Sequence, residues 1–172
     1  MQKTTTHNKA LLEKCISFLQ LIGIPVKRIN TMAVESFLPG LSIDGGSIIL
    51  NEVHCTYPGD ILHEAGHIAV VPADERSGLN AESIAGRENK EAEEMMAIAW
   101  SYAACVHLEI DPYFVFHDDG YKGGGSYIAD NFNNKQYFGV PMLQWIGLTA
   151  DEKNAAAKGI APYPAMIKWL RD

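Results

Sequence analysis

An α+β fold is what this sequence predicts, and three observations carry the prediction. Residues 8–21 and 90–108 place apolar side chains at helical spacing with no internal breaker. A shorter stretch after Gly59 has the same period and ends at Pro72. Between the first and second of these helical stretches, residues 26–50 are rich in β-branched side chains and punctuated by Pro39-Gly40 and Asp44-Gly45-Gly46. The expected arrangement is a small antiparallel sheet packed on the middle helix and on a second, longer helix that follows it.

In chain order, Leu11, Leu12, Cys15, Phe18, Leu19 and Ile22 define the buried stripe of a first helix, which Gly23 and Pro25 end. Leu41-Ser42-Ile43 and Ser47-Ile48-Ile49-Leu50 flank the Asp-Gly-Gly turn and read as a hairpin. Thr56-Tyr57-Pro58-Gly59-Asp60 is a breaker-rich lead-in to the middle helix, with Thr56 or Asp60 as N-cap and Pro58 tolerated in a first turn. Ile61, Leu62, Ala65, Ile68 and Ala69 form its packing face.

Residues 72–89 hold Asp74, Ser77, Gly78, Asn80, Gly86 and Asn89 and read as a long loop, with a short helix over 81–85. The alanine- and methionine-rich run 90–108 makes five turns of helix, apolar on more than one side and therefore central. Beyond it, Gly123-Gly124-Gly125-Ser126 reads as a turn able to act as a flap, and 131–134 as a further turn. Residues 142–148 form a short apolar element, and 164–170 a final helix. Trp145, Tyr163 and Trp169 are assigned to core packing rather than to a groove.

A chain of 172 residues with 47% hydrophobic content suffices for one well-buried domain, and residues 1–172 are read as a single one. Fourteen basic against 21 acidic side chains leave a net charge of −7, which argues against a phosphate backbone as main partner: no nucleic acid is expected. No apolar run reaches the length of about 20 residues that spans a bilayer, and the polar start lacks the apolar stretch of a secretory leader. No membrane association is expected, and a cytoplasmic location is. Cys15, Cys55 and Cys105 form no CxxC pair, as suits buried thiols in a reducing compartment.

The chemistry sits in His63-Glu64-Ala65-Gly66-His67. On a helix, residues four apart lie about 40° apart on one face and one turn from each other, so two imidazoles at that spacing reach one metal ion. Glu64 projects about 100° from His63, out of the ligand set but close to a metal-bound water, where it can serve as base. Zinc held by two histidines takes a third protein ligand and leaves the fourth position to water. Glu91, Glu93 and Glu94 offer one; Glu94 is favoured, Glu91 remains an alternative one turn away on the same face, and Glu93 points elsewhere.

These residues resemble those of the glutamate-type zincins (gluzincins), and within them the small ImmA/IrrE-like metallopeptidases. The resemblance spans about residues 40–108. It rests on Ser47-Ile48-Ile49-Leu50-Asn51, on the HExxH stretch 63–67, and on Glu94-Met95-Met96-Ala97 with Trp100-Ser101, which fit the family's Glu-x-x-Ala pattern. It implies a zincin-like fold and a zinc peptidase, with Zn²⁺ on His63, His67 and Glu94 and with Glu64 as the base that activates the metal-bound water. It further implies a peptide or protein substrate, paired in extended form with an edge strand near Ile48 to Leu50. A second electrophile, commonly His or Tyr in such enzymes, is left open among Tyr102, His107, His117, Tyr121 and Tyr127. The rival reading is a non-catalytic zinc-binding regulatory module that holds a protein partner without cutting it.

Overall fold

A computed structural model describes residues 6–30 and 38–172. The first helix, α1, runs Thr6–Ile22 and buries Leu12, Cys15, Ile16, Phe18 and Leu19. Gly23 ends it at φ 96°, where the left-handed backbone lets the amide of Ile24 return to the carbonyl of Leu19 at 2.8 Å.

Among the described residues the sheet has three strands, β1 (Val26–Arg28), β2 (Leu41–Asp44) and β3 (Ser47–Leu50), in the order β1-β3-β2. The expected hairpin is β2-β3, joined by Gly45 and Gly46 at φ 56° and 70°, the two left-handed positions a two-residue turn of this hand needs. The sheet is nevertheless mixed rather than antiparallel, because β1 pairs with β3 in parallel, Val26 opposite Ile48. A parallel partner leaves no local turn signal for sequence to show. β3 is therefore the central strand, bonded on both sides, and the expectation that it forms a peptide-binding edge is wrong. Its burial agrees: Ser47, Ile48 and Leu50 are all buried, as in a covered strand.

Helix α2 spans Asp60–Val70 and buries Ile61, Leu62, Ala65, Ile68 and Ala69 as expected. Neither Thr56 nor Asp60 caps it. Gly59 does, without a side-chain bond, because the backbone of Phe114 passes so close that a Cβ there would lie 1.8 Å from the Phe114 carbonyl oxygen. The short α3 (Ala81–Ala85) begins with an Asn80–Ser83 capping box. Helix α4 (Lys90–His107) then crosses α2 at close range. A Cβ on Gly66 would stand 2.8 Å from the Ala97 carbonyl oxygen, and the Ser101 hydroxyl lies 3.3 Å from the Leu62 carbonyl oxygen and 2.6 Å from that of Ala97. Small residues at 66 and 97 are what allow the two backbones to touch.

Three more helices follow: α5 (Gly125–Asn133), α6 (Val140–Trp145) and α7 (Glu152–Lys158). The first overturns the reading of residues 125–126 and 131–133 as turns. Gly125, Asp130, Asn131 and Asn133 disfavour helix, yet Phe132 is fully buried against Tyr102, Phe138 and Tyr163, and that burial outweighs propensity.

The expected helix over 164–170 does not form. Its backbone groups are engaged elsewhere: Thr149 donates to the Ala165 carbonyl, the Trp100 indole to that of Trp169, and the Ile167 amide to Leu148. Trp169 and Tyr163 do pack inward, but Trp145 is 89% exposed, contrary to expectation. Among the described residues, no helix is long and apolar enough to cross a membrane.

Candidate metal centre

Helix α2 presents His63 and His67 one turn apart, their rings nearly perpendicular and 4.7 Å between centroids. The two Nε2 atoms lie 3.1 Å apart. From α4, Glu94 brings Oε1 to 3.5 Å from His63 Nε2 and Oε2 to 3.2 Å from His67 Nε2. Among the described residues, these three form the group of histidine, cysteine and acidic side chains able to hold a metal ion. A tetrahedral site with arms of about 2.0–2.1 Å has edges of about 3.3–3.4 Å, and the separation of the two imidazole nitrogens and the approach of a carboxylate oxygen to each lie close to that value. The donor set fits a small cation.

The electrostatics of the three side chains point the same way. Burial, reinforced by repulsion from His67, pushes His63 down to about 3, so its ring is neutral with a lone pair to offer. Burial pushes the Glu94 carboxyl upward, but its bond to His67 and the field of both rings outweigh this and hold it below its ordinary value. Burial likewise opposes protonation of His67, and Glu94 with Glu64 overcomes it, raising the ring above its ordinary value. A neutral imidazole and an ionised carboxylate are the forms that ligate a cation, and any proton on His67 is what the cation displaces.

Glu64 lines the same cleft of about 580 Å³ without joining the donor set. Burial, aided by Asp60 and Glu94 and opposed by His67, pushes its carboxyl up to about 7, the range for taking and returning a proton near neutrality.

Of the other acids on α4, Glu91 is exposed, and Glu93 points away from the histidines, buried in a bond with Arg87 Nε at 2.6 Å. Arg87 also pairs with Glu75, tying the loop after α2 to the start of α4. Cys55 is buried outside the centre, and burial keeps its thiol protonated by pushing it up to about 12.

The far wall of the cleft comes from residues 117–122, which sequence reasoning did not connect to the histidines. His117 Nε2 donates to Asp60 Oδ1 at 3.0 Å, and Tyr57 stacks on the His117 ring at 3.8 Å between centroids. The Tyr57 hydroxyl donates to Asp119, and the Tyr121 ring meets His63 edge-on at 5.4 Å. Asp60 was legible in principle, since three residues before His63 is the same helix face. His117 and Tyr121 carry no local signal, being separated from α2 by about half a hundred residues of chain.

Of the five residues left open as a second electrophile, only His117 and Tyr121 line the cleft. Tyr102 bonds to Asn133, His107 packs on Phe18 and Trp169, and Tyr127 is exposed.

Comparison with protein-family models, with curated proteins and with solved structures returned no match.

Proposed function

We propose that this chain is a zinc-dependent peptidase of the glutamate-type zincin kind, similar to the small ImmA/IrrE-like enzymes. One observation carries the reading: His63, His67 and Glu94 converge at 3.1–3.5 Å on a cleft that a further carboxyl, Glu64, lines without belonging to the donor set. A purely structural metal site has no use for such an acid beside it. Zinc, when bound to those three side chains, supplies Lewis acidity that brings water toward a pKa of about 7 and polarises a scissile carbonyl.

The chain's own groups do the rest. Glu64 takes the proton of the attacking water and returns it to the leaving amine, a two-way transfer for which a carboxyl raised to about 7 is suited. Tyr121, its hydroxyl buried and unpartnered beside His63, is positioned to donate to the carbonyl oxygen as negative charge develops there. Leu38, Pro39 and Tyr57 exclude water from one side of the cleft. A reducing, cytoplasmic setting belongs to the same proposal, supported by three free cysteines that are all buried.

The test begins with tag-free protein purified without added metal. Elemental analysis is expected to find close to one zinc per chain, lost in His63→Ala. Glu64→Gln is expected to keep the zinc and to lose cleavage of a mixed peptide library read by mass spectrometry. Zinc-loaded wild-type protein that cuts nothing would favour the regulatory module. Full hydrolysis by Glu64→Gln would reject Glu64 as the base.

A further inference from the structure

We infer that residues 117–124 form a lid over the cleft, latched to the start of α2 by Tyr57 and Asp60 and designed to close on a ligand that offers an acceptor to Tyr121. The inference extends the reading of this cleft as the reaction site. Three observations converge on it.

The first is the way the segment is held. Its side-chain ties to the α2 lead-in are few: Tyr57 stacks on His117 and donates to Asp119, and Asp60 accepts from His117. At the other end, Gly125 is pinned beneath the His117 carbonyl, where a Cβ would come within 2.1 Å. The two ends of the lid thus meet at its base, and it is latched to α2 on one side.

The second is its backbone. Tyr121, Lys122 and Gly123 follow one another at φ 53°, 57° and 82°. The left-handed region is unfavourable for the first two, so the closed form holds strain that an open form releases. Neighbouring Gly120 and Gly124 supply freedom on either side.

The third is chemical. The Tyr121 hydroxyl is buried with no hydrogen-bond partner while its ring lies against His63. A buried hydroxyl without a partner is a standing cost of the closed form. An extended peptide backbone brings carbonyl oxygens into the cleft, and one of them satisfies the hydroxyl. Closure is therefore favoured by an occupant and disfavoured without one, which is a population shift driven by differential contact.

The experiment reads lid opening in metal-free protein, so its failure is separate from a failure to bind zinc or to cleave. Native-state trypsin digestion is followed at Lys122, which lies exposed in the middle of the lid, with Lys158 at the end of α7 as control in the same digest. Tyr57→Phe keeps the stacked ring and removes the bond to Asp119; cleavage at Lys122 is expected to rise about fivefold or more, with Lys158 unchanged. Tyr121→Phe removes the unpaired hydroxyl while keeping the ring, and cleavage at Lys122 is expected to slow by a similar factor. That sign separates a lid from mere packing. An unchanged rate at Lys122 in Tyr57→Phe, or an increased one in Tyr121→Phe, overturns the inference.

Discussion

Replacing Gly66 by alanine probes the contact on which the centre depends. In an isolated helix the change is favourable by about 1 kcal/mol. Here the added methyl would lie 2.8 Å from the Ala97 carbonyl oxygen, 2.9 Å from its Cα and 3.1 Å from its Cβ. Ordinary contacts between such atoms are about 3.5–4.0 Å, so α4 must retreat by about 0.5–1 Å. Two of the three close atoms are backbone, so no side-chain rotation relieves the clash. Overpacking of this kind costs about 1–3 kcal/mol, and the contact sits at the upper end, leaving a net loss of about 1–2 kcal/mol after the helix gain. For a chain of this size that lowers the melting temperature by about 3–6 °C.

The same retreat carries Glu94, one turn before Ala97, away from imidazoles now 3.2–3.5 Å distant. Zinc affinity is expected to fall about tenfold or more, by analogy with the loss of a ligand-orienting contact. Urea unfolding of metal-free protein and competition titration with a zinc chelator measure the two effects. A Gly66→Ala protein as stable as wild type, with undiminished zinc affinity, would refute the argument that this crossing sets the third ligand.

Two further outcomes are expected. Glu94→Gln should weaken zinc binding by about a hundredfold or more, whereas Glu91→Gln, an exposed residue outside the donor set, should leave it unchanged; chelator competition on the pair decides, and equal affinities for wild type and Glu94→Gln would exclude Glu94 as a ligand. In metal-free protein, Glu64→Gln should alter the pH dependence of stability. The Glu64 carboxyl is raised from an ordinary 4.5 to about 7, so its contribution is fully present below 4.5 and is lost as pH rises through about 7. Glutamine avoids that loss, making the variant the more stable protein at pH 8 by up to about 3 kcal/mol relative to their difference at pH 4.5. His63 acts in the opposite sense, its contribution being complete above 6.5 and lost as pH falls toward 3, but it is common to both proteins. Urea midpoints that run parallel from pH 4.5 to 8 would contradict the raised carboxyl.

Much of the architecture was legible where a few neighbouring residues decide it. The period of residues 61–69 gave α2 and placed two histidines on one face; Asp44-Gly45-Gly46 marked the hairpin; residues 81–85 formed the short helix expected there. Where local preference and tertiary contact disagree, the reading failed. Helix α5 forms against its composition because Phe132 is buried, and residues 164–170 take turns and bends rather than helix because their carbonyls already accept from Thr149 and Trp100.

By itself, then, the sequence determined the two long helices, the hairpin and the pairing of His63 with His67, since each depends on periodicity within one or two turns of chain. Only the tertiary structure decided the parallel strand at the sheet's other edge, the choice of Glu94 over Glu91, and the wall built from His117 and Tyr121. The first is a pairing across about twenty residues. The second follows from how far α4 is rotated about its axis when Ala97 seats on Gly66. The third joins residues on either side of two helices. In each case the deciding energy is contact between surfaces distant in sequence, which no local window contains.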